Sequence, residues 1–296
     1  MSTHPSQISA AVTTDRLPVT LPRVAEMKRR GEPIVMVTAY DFPSARAAEA
    51  AGVDMVLVGD SGAMTVLGYP STVPVETDEL LVLAKAVRRG LRTPLLVGDL
   101  PFGSYEVSDE QALRTALRFV KEAGCDAVKL EGGGRTSAAR ARAIVDAGIP
   151  VMGHVGLTPQ TATALGGYRA QGRDAEAAAR VAAEAVALQA AGCFSLVFEA
   201  IPAQVAQEIM SRIEIPVIGI GAGPATDGQV LVFHDLLGIR DGLGARFVKR
   251  YANIQEEMAA GVAAYAGDVR SGRYPEPQHG YSIDPAELEA FRQHLT

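Results

Sequence analysis

Between residues 21 and 274 the chain alternates two hydrophobic patterns: short, nearly unbroken runs of Val, Ile and Leu, and longer stretches with apolar residues at helical spacing. The two meet in a repeated unit, a helical segment ending in Ala-Gly followed closely by an apolar run that ends in a polar group. Copies are AAGVDMVLVGDS from Ala50, EAGCDAVKLEGG from Glu122, DAGIPVMGHVGL from Asp146 and AAGCFSLVFEAIP from Ala190. Glycine suits the left-handed position that ends a helix. The unbroken runs suit strands buried on both faces of a parallel sheet. Further strands are predicted over Ile34–Asp41, Pro94–Pro101, Pro216–Gly223 and Gln229–Leu236, which makes eight. Helices are predicted over Glu76–Arg89, Ser108–Ala123, Thr136–Ala147, Asp174–Ala191, Ala203–Arg212 and Phe247–Gly272. Ser108 and Gln111 are spaced as a capping box.

Alternating strands and helices imply an α/β fold with a parallel sheet. Eight such units in about 250 residues is the size of a (β/α)8 TIM barrel. An open doubly wound sheet also alternates, but its dinucleotide fingerprint is missing: Gly219–Gly223 reads GxGxG, with Pro224 where the next glycine would fall. The predicted organisation is one barrel domain over residues 21–274, a flexible tail over 1–20 and a polar extension over 275–296. In the extension, Asp284 and Pro285 fit the N-cap and first position of a short helix.

Charge narrows the function classes. The formal net charge is -6, with no run of basic residues, which argues against nucleic-acid and membrane-surface partners. No apolar stretch reaches 18 residues, and the N-terminus lacks the apolar core of a signal peptide. Cys125 and Cys193 stand 68 residues apart without CxxC spacing, which suits a reducing cytoplasm better than a disulfide framework or a zinc site.

Barrel enzymes carry their chemistry where strands end and βα loops begin. Those positions hold Tyr40-Asp41, Asp60, Asp99, Glu131, His154, Glu199 and the pair His234-Asp235. In the repeats the acid falls eight residues after Gly52 and seven after Gly124 and Gly192, so several acids meet at a similar height. Clustered like charges need protons or a cation. Asp60, Asp99 and Glu131 come from consecutive strands and can converge on Mg²⁺, directly or through water. A single acid there is more commonly a helix cap or a solvated charge; the matching positions favour ligation. No HxH or HExxH spacing suggests zinc.

Lys129 is one of only five lysines, and it interrupts an apolar run. Strand period puts it on the face of Glu131, which in a barrel is the interior. A buried Lys-Glu pair is expensive to keep; it fits a structural pair filling the barrel top or a Schiff-base lysine, and the neighbouring acids favour anchoring of an anionic substrate. Glu199 lies between SerLeuValPhe and AlaIlePro, an apolar setting that raises a carboxyl and suits a general base; a further metal ligand or a cap to the helix at Ala203 fits the same position. His154 fits either a hydrogen bond to substrate oxygen or a satisfied histidine at the barrel end. The Gly219–Gly223 turn fits either anion binding by backbone N–H groups or close packing.

The chain resembles the ketopantoate hydroxymethyltransferase family over most of residues 25–250. The residues that carry the resemblance are ThrAlaTyrAsp at 38–41, ValGlyAspSer at 58–61, AspLeuProPhe at 99–102 and ValLysLeuGluGlyGly at 128–133. They continue with GlyHisValGlyLeuThrProGln at 153–160, GlyGlyTyrArgAlaGlnGlyArg at 166–173 and PheGluAlaIlePro at 198–202. IleGlyIleGlyAlaGly at 218–223 and ThrAspGlyGlnValLeuValPheHisAsp at 226–235 complete them. The resemblance implies a (β/α)8 barrel of the phosphoenolpyruvate/pyruvate superfamily. The implied reaction transfers a hydroxymethyl group from 5,10-methylenetetrahydrofolate to 3-methyl-2-oxobutanoate, giving 2-dehydropantoate for pantothenate and coenzyme A synthesis. By position it makes Asp60, Asp99 and Glu131 the Mg²⁺ acids and Asp60, Ser61, Asp99 and Lys129 the 2-oxoacid contacts. Glu199 becomes the proton acceptor, and the assembly a homodecamer. Two rivals share the barrel. A lyase or mutase of the isocitrate lyase or phosphoenolpyruvate mutase type uses a loop with the run Lys-Lys-Cys-Gly-His, and neither cysteine here has those neighbours. A non-catalytic ligand-binding barrel predicts loss of at least one acid, Lys129 or Glu199.

Overall fold

The structure, a computed structural model, describes residues 16–240, 242 and 244–295, so residues 1–15 of the expected tail lie outside the described residues. Arg16 reaches Val53 O and Asp54 Oδ1, and Val19 N donates to Thr93 O, so the segment before the first helix runs along the barrel. Helix α1 (Leu21–Arg30) starts at a Thr20 cap and stops at Gly31, which takes the left-handed conformation at φ 65°. Val24 and Met27 on its apolar face cluster with Ile34, Met55 and Leu95, early residues of their strands, so α1 plugs the amino-terminal end of the barrel.

Eight parallel strands close in sequence order: β1 (Ile34–Thr38), β2 (Met55–Val58), β3 (Leu95–Asp99), β4 (Ala127–Lys129), β5 (Val151–Gly156), β6 (Ser195–Glu199), β7 (Val217–Ile220) and β8 (Gly228–Leu231). The remaining helices in chain order are α2 (Phe42–Ala51), α3 (Gly62–Thr65), α4 (Thr77–Gly90), α5 (Asp109–Ala123), α6 (Arg135–Asp146), α7 (Ala175–Ala190), α8 (Ala203–Met210), α9 (Phe233–Leu237), α10 (Ile254–Arg270) and α11 (Pro285–Gln293). Each strand divides its residues by the two-residue period. Met55, Leu57, Leu95, Val97, Ala127, Met152 and Val197 fill the interior, while Val56, Val58, Leu96, Val128, Leu196 and Phe198 pack under the helices. Full burial of such a side chain stabilises by roughly 1.5–3 kcal/mol. The fold is therefore the predicted (β/α)8 barrel. Among the described residues no helix is long and apolar enough to cross a membrane.

Four local readings need correction. The last strand ends at Leu231, not Leu236, because the apolar run turns into α9 at Phe233. The final long helix begins at Ile254, so Phe247 belongs to a loop at the barrel mouth. Residues 221–227 join β7 to β8 without a helix, which breaks the strict alternation. The Ser108 cap forms, but Gln111 accepts from Val107 N rather than from Ser108, so the box is not reciprocal.

Candidate active site

The same two-residue period that fills the core builds the site. On β3 the inward series Leu95, Val97 continues to Asp99; on β4, Ala127 continues to Lys129 and then Glu131; on β5, Met152 continues to His154; on β6, Val197 continues to Glu199. Apolar side chains occupy the lower layers and ionisable ones the last. Register pairs Asp99 with Lys129 directly. Asp60 joins from the turn after β2, where its backbone N donates to Asp99 Oδ2 at 3.0 Å. All six predicted residues of this set, with Ser61, line one cavity of about 220 Å³.

Lys129 Nζ lies 2.9 Å from Asp99 Oδ1 and 3.7 Å from Glu131 Oε1. His154 Nδ1 is 3.3 Å from Glu131 Oε1 and 3.3 Å from Lys129 Nζ, and its Nε2 is 3.2 Å from Glu199 Oε2. The chain of contacts therefore runs Asp99, Lys129, Glu131, His154, Glu199 around the mouth. Burial pushes the Asp60 carboxyl well above its ordinary range, and the neighbouring Asp99 and Glu131 push it further. Asp99 is also raised, by burial first, against the pull of Lys129. Burial would raise Glu131 too, but His154, Lys129 and the Gln160 backbone outweigh it and hold this acid low. Burial and Lys129 both act to lower His154, yet Glu131 and Glu199 prevail and hold it at about 9. Burial opposes the charge on Lys129, and the surrounding acids keep it above its usual value.

Among the described residues no three His, Cys, Asp or Glu side chains form a ready-made cage for an ion. The chemistry of the donors nevertheless fits a hard divalent cation. Asp60 and Asp99 are neighbouring buried carboxylates, and Lys129 compensates only part of their charge. Two carboxylates, completed by water and substrate oxygens, are a common Mg²⁺ set. Glu131 is already engaged by His154, Lys129 and Gln160 N at 3.0 Å, which suits it to reach an ion through water.

The other sequence candidates separate. Asp41 caps α2, accepting from Ser44 N at 2.7 Å, and does not line the cavity. Tyr40 is buried with its hydroxyl 2.8 Å from Ser61 Oγ, and burial pushes its phenol up to about 12. His234 packs beside Tyr40 with the ring centroids 5.5 Å apart and the planes tilted by 51°, while Asp235 lines the cavity paired with Arg240 at 2.6 Å. Close packing accounts for the glycine turn after β7: a Cβ on Gly221 would stand 2.5 Å from Phe247 Cδ1. Gly156 is likewise required where β5 meets β6, since it sits at φ 96° with Glu199 O where a Cβ would be. The setting of Glu199 is less apolar than its flanking residues suggest, because His154 faces it.

Two buried residues were missed by sequence reasoning. Gln160, in the 3-10 turn Pro159–Thr161, donates from Nε2 to Asp60 Oδ2 at 3.1 Å and to Leu100 O at 2.9 Å. Tyr105 donates its hydroxyl to Gln160 Oε1 at 2.7 Å. Gln160 stands within a family motif, but nothing in its local pattern marks it. Tyr168, Arg240 and Phe247 also line the cavity from loops.

The ketopantoate hydroxymethyltransferase family model matches residues 18–277. The 3-methyl-2-oxobutanoate hydroxymethyltransferase of Moorella thermoacetica is 54% identical over 89% of this chain and 97% of its own length. The mitochondrial 3-methyl-2-oxobutanoate hydroxymethyltransferase 1 of Arabidopsis thaliana is 50% identical over 94% of this chain and 82% of its own. Among solved structures, a 2,3-dimethylmalate lyase of the phosphoenolpyruvate mutase/isocitrate lyase superfamily shares the fold at a TM-score of 0.56. It is 15% identical, with 93% of this chain and 98% of that one covered. On the match to residues 18–277 and identity near half across almost whole chains, the chain belongs to the ketopantoate hydroxymethyltransferase family, whose members are enzymes of hydroxymethyl transfer.

Proposed function

We propose that this enzyme transfers a hydroxymethyl group from 5,10-methylenetetrahydrofolate to 3-methyl-2-oxobutanoate, giving 2-dehydropantoate and tetrahydrofolate on the route to pantothenate and coenzyme A. The observation that carries the reading is one cavity that joins a lysine-compensated carboxylate cluster, Asp60, Asp99 and Glu131, to a histidine-contacted carboxylate, Glu199. The cluster suits the carboxylate and keto end of a 2-oxoacid, and Glu199 suits its C3 proton.

Asp60, Asp99 and Glu131 would hold Mg²⁺. When bound, the ion supplies Lewis-acid polarisation of the keto group. Lys129 places a fixed positive charge beside the oxygen on which negative charge develops, in a buried setting where such charges act most strongly. Ser61, with Asp60, Asp99 and His154, orients the 2-oxoacid. Glu199 takes the C3 proton. Ring opening breaks one C–N bond of the folate methylene bridge, water adds to the iminium carbon, and the second C–N bond breaks to release formaldehyde and tetrahydrofolate. The C3 electron pair attacks that formaldehyde, and Glu199 returns its proton to the alkoxide formed. In deuterium oxide without folate, the wild-type enzyme exchanges the C3 proton of 3-methyl-2-oxobutanoate, and Glu199→Gln abolishes exchange while binding persists. Undiminished exchange in that variant removes Glu199 from the role.

The enzyme is also proposed to act as a homo-oligomer, with the homodecamer implied by the family resemblance. The outer wall over β1 and β8 holds an apolar groove of about 450 Å³, bordered by Val35, Leu231 and Phe233. Helix α10 buries none of its residues and exposes Met258, Val262, Tyr265 and Val269 along one stripe. A second copy's stripe supplies the matching apolar surface, and sedimentation as a monomer would refute the assembly. A cytoplasmic site is supported by two buried free thiols, Cys125 and Cys193.

A further inference from the structure

Gln160 is buried to 3% exposure, and it ties together parts of the site that are far apart in sequence. Its backbone N holds Glu131 Oε2 at 3.0 Å, and its Nε2 holds Asp60 Oδ2 at 3.1 Å. The amide can be oriented in one way only. Leu100 O, 2.9 Å from Nε2, accepts and cannot donate, so the nitrogen must face it. The amide oxygen then accepts from Tyr105 OH at 2.7 Å, and that hydroxyl accepts from Glu131 N at 3.3 Å. One oxygen of Asp60 and one of Glu131 are thereby fixed by donors that carry no charge.

That neutrality matters. An arginine or lysine at this place would hold the same oxygens and cancel their charge, as Lys129 partly does for Asp99 and Glu131. An amide side chain and a backbone N–H orient the acids while leaving their negative charge for a cation. We propose that Gln160, held in turn by Tyr105, is a positioning residue that sets the rotation and separation of Asp60 and Glu131 for the divalent ion. The inference rests on the metal reading above. Ligand-supporting partners of this kind typically contribute 10–100-fold in metal affinity.

The test titrates Mn²⁺ into the EDTA-stripped full-length protein, followed by electron paramagnetic resonance without substrate. Gln160→Met keeps the volume and the backbone bond but removes the amide; Mn²⁺ affinity is expected to fall about 10–100-fold. Tyr105→Phe is expected to lower it less, in the same direction. Excess Mg²⁺ is expected to recover activity in both variants, which a general loss of packing would not permit. Wild-type affinity in Gln160→Met overturns the inference and leaves the metal reading standing. Should Gln160→Met fail to fold, unchanged affinity in Tyr105→Phe overturns it instead. A wild-type protein that takes up no Mn²⁺ overturns the metal reading and this inference together.

Discussion

His154 Nε2 lies 3.2 Å from Glu199 Oε2, on a ring whose other nitrogen is 3.3 Å from Glu131. The imidazole thus joins the acid proposed to take the C3 proton to the carboxylate cluster proposed to hold the ion. Held at about 9, it is the cationic form that bridges the two carboxylates at neutral pH.

Replacing this bridge by an uncharged amide tests the link between the two halves of the site. In His154→Gln, Glu199 loses its charged partner, and kcat is expected to fall about 100-fold, the lower range for a misplaced acid-base group. C3 deuterium exchange should fall in parallel, whereas a His154 that only fills space would leave exchange near wild type. The pH dependence has a definite sign. The folded-state value, about 9, lies above the ordinary 6.5, so the histidine's contribution to stability is complete below about 6.5 and disappears as pH rises through 9. In metal-free protein, the melting-temperature gap between wild type and His154→Gln should therefore narrow steadily over that interval. A constant gap would refute the charged bridge.

Lys129 is the fixed cation between Asp99 and Glu131, with its side chain almost wholly buried. Lys129→Met leaves two buried acids without their partner, and removing one member of such a pair destabilises by about 3–5 kcal/mol. Without the lysine the folded-state pKa of the acids rises, so they take up protons, and the loss grows as pH rises above the ordinary carboxylate range. Urea unfolding at several pH values measures this. Added Mg²⁺ should recover part of the stability by binding the folded form. A loss independent of both pH and Mg²⁺ would contradict the assigned role.

Much of this site was legible in the sequence because it obeys one rule, the strand period. Lys129 and Glu131 share a face by spacing alone, and Asp99, His154 and Glu199 stand at the ends of recognisable apolar runs. Gln160 and Tyr105 obey no such rule. They reach the acids across 100 and 26 residues, from turns whose position is set by packing of the closed barrel. Plug helix α1 was also missed, since its burial depends on the barrel end it closes. The overrun at Val232–Leu236 has a different cause: a short apolar run is equally compatible with strand and helix. Only the register of β8 against β1 and β7 settles where the strand stops.

Away from the site, Glu49 shows how the barrel wall is fastened. This buried acid near the end of α2 accepts from Arg92 N at 2.7 Å, Thr93 N at 3.1 Å and Thr93 Oγ1 at 2.8 Å, pinning the turn that leads into β3. Burial would raise its carboxyl, but these hydrogen bonds and Arg46 outweigh it and hold Glu49 below its ordinary 4.5. A lowered folded-state value gives stability that is present above about 4.5 and is lost as pH falls through the folded value. Hydrogen bonds to a charged acceptor contribute about 1.5–3 kcal/mol each, and Glu49→Gln keeps one acceptor oxygen, so a net loss of about 1–2 kcal/mol is expected at pH 7. Denaturant unfolding should show that difference shrinking towards zero as the pH is lowered past the carboxylate range, with kcat unchanged throughout. A difference that persists in acid would mean that shape, rather than the ionised carboxylate, fastens the turn.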